Sequence, residues 1–165
     1  MTIISLFLRE LEEEALTTRK MLARIPTDKL DWAPHEKSMK MGPLATHIAE
    51  LPTWITMGFT TDQLDFNENS WEPAKAESTQ EILDIFEKNL VNGRTQLVEE
   101  NAPHLGETWL LRQGEHIIWA TDRAGVARHA LCQIIHHRAQ LGVYLRLLNI
   151  QIPGSYGPSA DEQGM

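Results

Sequence analysis

The sequence predicts an all-α protein, an up-and-down bundle of four long helices with one short irregular or hairpin insert. Three observations lead there. Apolar residues recur at three- and four-residue spacing over long stretches of the 165-residue chain. Proline and capping residues mark where those stretches start and stop. Residues 105–120 carry short apolar runs without helical spacing. Helices with one apolar stripe bury it by packing on one another, and a bundle is the simplest solution.

The first helix is expected over residues 2–25. Ile4, Phe7, Leu8, Leu11, Ala15, Thr18, Leu22 and Ile25 form its stripe, and Pro26 stops it. Residues 27–41 read as an ordered connection. The second helix starts near Gly42-Pro43 and buries Leu44, Ile48, Leu51 and Ile55. Pro52 falls inside this pattern, so it kinks the helix or ends it early. Residues 60–76 are polar and irregular, with Trp71 as an anchor against the core.

Ser78-Thr79-Gln80-Glu81 reads as a capping box that opens the third helix. Ile82, Ile85, Phe86, Asn89, Leu90, Gly93 and Leu97 carry it to about residue 100. Within 105–120, Gln113-Gly114-Glu115 separates two short apolar runs, the pattern of a small hairpin or extended loop. The fourth helix covers 122–148, with Val126, Ala130, Ile134, Leu141, Leu145 and Leu148 buried. The tail from Gln151 has two prolines and three glycines before the end and is not helical.

Length and composition suit one domain over residues 1–165. A formal net charge of -8 with no basic stripe disfavours binding to nucleic acid or to an anionic membrane. The single cysteine, Cys132, cannot form an internal disulfide, and no CxxC motif exists, which fits a reducing cytoplasm. No basic segment precedes the apolar start, so no signal peptide is expected, and no apolar run is long enough to span a bilayer.

The seven histidines matter by position. His129, Gln133 and His137 lie at i, i+4 and i+8, on one helix face. His136 sits beside them, and His47 lies on the second helix. Inward side chains on facing helices are how bundle metal sites are built, and imidazole suits zinc, nickel, copper and ferrous iron. The alternative is a set of core histidines bonded to neighbouring helices. His35, His104 and His116 lie in connections and receive no role.

His136-His137-Arg138-Ala139-Gln140-Leu141, running on through Val143-Tyr144-Leu145-Arg146-Leu147-Leu148, resembles the last helix of the DinB-like (YfiT-like) family. The tail from Ile152 to Glu162 resembles that family's tail. Leu30-Asp31-Trp32, Ser38-Met39, Gly42, Leu44 and His47 resemble its entry into the second helix. The resemblance implies a four-helix bundle with a long crossover, frequently a homodimer. It also implies a divalent metal held by three histidines. Carried over by residue, the ligand positions are His47, Gln133 and His137. Gln133 departs from the pattern, since an amide oxygen is a weaker donor than imidazole for these metals. Three outcomes are open: Gln133 ligates weakly, His129 or His136 replaces it, or the metal is lost and the fold kept.

The remaining candidates have plainer readings. Cys132 is expected to be a small buried residue rather than a nucleophile. Arg138 is expected to pair with an acid on another helix rather than bind an anionic substrate. The five tryptophans are expected mostly as core or loop anchors. The acidic run from Glu12 to Glu14 is expected to be a solvated face.

The resemblance implies a metal-dependent enzyme acting on small molecules, a transferase using a low-molecular-weight thiol or a hydrolase. Zinc, nickel or iron would lower the pKa of a coordinated thiol or water. The alternative is a non-catalytic, stress-related dimeric bundle with a degenerate metal site, which Gln133 supports.

Overall fold

A computed structural model describes residues 1–68 and 72–162. Helix α1, Ile3–Leu22, begins at a reciprocal cap: Ser5 N–H donates to the Thr2 hydroxyl at 3.1 Å, and Thr2 N–H donates to the Ser5 hydroxyl at 2.9 Å. Ile4, Leu11, Ala15, Thr18 and Leu22 are buried, as their spacing predicts.

Pro52 ends the second helix rather than kinking it. Two helices result, α2 over Met41–Glu50 and α3 over Thr53–Thr60. Leu44, Ile48, Leu51 and Ile55 are all buried across the break. The carbonyl of Pro52 lies against α4, Thr79–Gln96, where a β-carbon on Gly93 would come within 3.0 Å of it. Glycine therefore lets α4 pass close to the α2–α3 corner. At the start of α4, the Ser78 hydroxyl accepts from Glu81 N–H at 3.2 Å. The Glu81 carboxylate bonds Glu77 N–H rather than Ser78, so only half of the expected box forms. Helix α4 ends at Gln96, and a 3-10 turn over Glu99–His104 takes the place of its expected last turn.

The all-α expectation is corrected by a three-stranded sheet, order β1-β2-β3. Strands β2, Thr108–Gln113, and β3, His116–Asp122, are the antiparallel hairpin, turning at Gly114 with φ 58°. Glycine adopts this left-handed conformation without steric cost. Strand β1, Gln63–Asp65, joins β2 in parallel, with Leu64 opposite Leu111. It lies in the segment expected to be irregular. Three residues are too few for alternation to signal a strand, and Leu64 pairs with a partner 47 residues away. The Trp71 anchor falls outside the described residues.

Helix α5, Arg123–Leu147, follows β3 directly, and the Asp122 carboxylate caps it by accepting from Gly125 N–H at 2.7 Å. Helices α1, α2 and α3 each pack against both α4 and α5, around one apolar core. The sheet docks through Trp109, fully buried, whose indole N–H donates to the Thr61 hydroxyl at 3.1 Å. No described helix is long and apolar enough to cross a membrane.

Two further expectations are corrected. Cys132 is exposed. The acidic run is not one solvated face: Glu13 is exposed, Glu12 pairs with Arg94 of α4, and Glu14 is buried against Arg138. Arg138 is 1% exposed and bridges α5 to α1, as the ion-pair reading holds. Its guanidinium donates to the Glu14 carboxylate, to the Thr18 hydroxyl at 3.1 Å and to the Tyr156 hydroxyl at 3.2 Å. Tyr156 O–H in turn donates to Glu14 Oε1 at 2.6 Å.

Arg138→Met leaves the Glu14 carboxylate buried without its partner, and a loss of about 3–5 kcal/mol is expected in denaturant unfolding. The double variant Glu14→Leu/Arg138→Met should recover most of that loss. Equal instability of the single and double variants would show that packing volume, not the buried charge, sets the cost.

Candidate functional site

Helix periodicity turns His137 away from the α5 face that meets α1. Successive residues turn by roughly 100°, so with Arg138 held against α1 the preceding side chain points elsewhere. It meets His47 of α2. The two imidazoles lie edge to face with centroids 4.7 Å apart. Both are half-buried. Burial pushes both imidazoles below the usual histidine range, and the neighbouring imidazole adds to this, His137 for His47 and His136 for His137. The neutral, lone-pair-bearing form is therefore favoured.

The tautomer of His137 follows from its partner. Its Nδ1 lies 2.8 Å from the Gln140 amide oxygen, which only accepts, so Nδ1 donates and Nε2 keeps the lone pair. The Gln140 amide nitrogen then donates to His136 Nε2 at 3.2 Å. This is the arrangement in which an outer hydrogen bond orients a metal-binding imidazole.

Gln133 is half-buried one turn before His137, and its amide makes no hydrogen bond among the described residues. His129 does not join the pair. It packs on Trp119 and Trp54, with centroids at 4.9 and 5.6 Å. His136 stacks edge to face on His137 at 4.8 Å and is exposed. Among the described residues no group of three His, Cys, Asp or Glu side chains is placed to hold a metal ion. Two imidazoles meet here, and the third position, one turn before His137, carries an amide. They fall short of a three-imidazole centre.

The sequence reading passes over Glu50. It follows His47 by three residues on α2, a spacing that puts both on one face. Both line a cavity of about 380 Å³ with Trp54, Met57, Leu64 and Phe66. Glu50 Oε1 accepts from Ala74 N–H at 2.9 Å, whereas Oε2 is buried with no partner among the described residues. Burial pushes this carboxyl above the usual range. The larger concavity, about 590 Å³ between α5 and residues 152–159, shares no lining residue with the histidines.

His47, His129 and His137 all have folded-state pKa values below the reference of 6.5, chiefly through burial. The unfolded chain thus binds more protons than the folded one as pH falls below 6.5, and stability falls with it. The thermal midpoint should drop on acidification from neutral pH to about pH 5, with the raised Glu50 carboxyl offsetting part of the fall. A flat midpoint over that window would contradict these shifts.

Solved structures share this fold. A DinB-like protein from Bacillus cereus ATCC 10987 is 18% identical with a TM-score of 0.68, covering 91% of this chain and 95% of that one. A structure described as a putative member of the DinB family, from Exiguobacterium sibiricum 255-15, is 18% identical with a TM-score of 0.68, covering 93% and 97%. A DinB-like protein from Bacillus subtilis is 17% identical with a TM-score of 0.66, covering 96% and 99%. No curated protein matches the chain. The DinB family model matches residues 1–164, and the chain belongs to the DinB family.

Proposed function

We propose that this protein acts on or binds small molecules at the His47–His137 site, and that the site is a weakened divalent-metal centre. One observation carries the reading. Neutral imidazoles from α2 and α5 meet at 4.7 Å, while the position one turn before His137 offers an amide. Zinc, nickel or ferrous iron are the ions this donor set suits. His47 and His137 would hold the ion, with Gln133 as a weak third donor.

The cavity that His47 lines supports extending the reading to an enzyme, a thiol-dependent transferase or a hydrolase. A bound ion would supply Lewis acidity to a coordinated thiol or water. The protein's own part is to keep the imidazoles neutral, to fix the His137 tautomer through Gln140, and to present an apolar wall beside them.

Elemental analysis of untagged protein, purified without chelator, tests this directly. Substoichiometric metal is expected in the natural sequence and stoichiometric metal in Gln133→His. Full occupancy with glutamine in place would mean that the centre needs no third imidazole. Absence of metal from both proteins would sink the metal reading. In the Gln133→His background, His137→Ala should remove the metal. A half-buried side chain outside the core should cost no more than about 1 kcal/mol of stability in the metal-free protein.

A further inference from the structure

The cavity beside His47 has a chemistry of its own. Helix α3 supplies Trp54 and Met57, β1 supplies Leu64, and Phe66 stands exposed just past β1. Its volume, about 380 Å³, is at the low end for small-molecule pockets, roughly 300–1,000 Å³. The walls are mainly apolar and aromatic. Among the described residues lining it there is no Lys or Arg, and Glu50 is the one carboxylate.

The polar groups are biased toward acceptors. Glu50 Oε2 is buried and has no donor among the described residues. Asn89 donates one amide N–H to the Ala49 carbonyl at 3.1 Å, which leaves its oxygen as an acceptor beside one remaining N–H. His47 carries a neutral imidazole. A buried acceptor without a donor is costly, so it is the feature a ligand would relieve. The location sharpens the point. Glu50 is the last residue of α2, where the helix dipole already disfavours a negative charge.

An anion finds no counter-charge here, and the net charge of -8 repels it further. A bare metal ion finds one carboxylate and no third ligating side chain. A cationic head on an apolar body meets every condition. Its charge would neutralise Glu50, and the aromatic faces attract it.

We propose that the cavity lined by Glu50, Trp54, Met57, Leu64 and Phe66 is a binding site for a small organic amine, held as an ammonium ion against Glu50. The elevated carboxyl pKa agrees with this: an unpaired Glu50 is poorly solvated, and an ammonium partner restores the ionised form. The inference deepens the proposed function, since His47 lines the same cavity; Glu50 itself is not among the residues assigned to the ion, so the two readings can fail separately.

Calorimetric titration of the full chain with phenethylamine tests the proposal, with 2-phenylethanol and 3-phenylpropionate as a neutral and an anionic probe of the same shape. The amine should bind at least tenfold more tightly than either. Glu50→Gln should weaken amine binding at least tenfold and leave the metal content of Gln133→His unchanged. Met57→Trp, which fills the cavity without touching the charge, should abolish binding and serves as the test if Glu50→Gln does not fold. Equal affinity for the three probes, amine binding indifferent to Glu50→Gln or Met57→Trp, or no amine binding into the millimolar range would each overturn the assignment. Failure of the metal test with amine binding intact would leave this site standing, and the reverse would remove it alone.

Discussion

The buried ion pair between Glu14 and Arg138 is the constraint on which the rest of the structure turns. Two charges inside an apolar core must be paired and fully hydrogen-bonded, or the fold is strongly disfavoured. Arg138 meets that demand with the Glu14 carboxylate, the Thr18 hydroxyl and the Tyr156 hydroxyl. The pair locks α1 to α5 in one rotational setting. Rotating α5 by a single residue would bury His137 against α1 and carry Arg138 away from its acid. The His47–His137 site is thus positioned by a contact it does not include.

The same network reaches the C-terminal tail. Tyr156 sits with the guanidinium 5.6 Å from its ring centroid and its hydroxyl on Glu14. Asp161 bonds Arg146 and the Ile152 N–H, and Glu162 bonds the N–H groups of Gly154 and Ser159. A segment without helix or strand is therefore ordered by side chains that satisfy its backbone. On the other side of the molecule, the break at Pro52 has a comparable role. It separates α2 from α3, and Glu50 and His47 of α2 line one cavity with Trp54 and Met57 of α3.

The histidine ligand positions show what residue spacing can and cannot convey. His137 and Gln133 share a face because α5 is regular, and that was legible from sequence. The pairing of His137 with His47 was legible only through the family resemblance, since no local pattern reports which helix faces which. His129 shares the same spacing and was an open substitute for Gln133. Its ring instead packs on Trp54 and Trp119, residues 75 and 10 positions away in a chain of 165. Glu50 carried a readable signal, an acid three residues past a candidate ligand, but its isolation in the fold was not readable.

By itself the sequence determined where the helices lie, which faces they bury, where Pro52 breaks the second of them and where Gly114 turns the hairpin. These follow from periodicity, capping and backbone sterics, which act within a few residues. Tertiary structure alone decided that Glu14 is buried while Glu13 is exposed, that Cys132 faces solvent, and that residues 63–65 become a strand. It also decided that one oxygen of Glu50 is buried without a partner among the described residues, in a side chain that lines an apolar cavity. Each of these depends on what a distant element brings against a side chain, and burial of charge is settled by that pairing rather than by the local pattern.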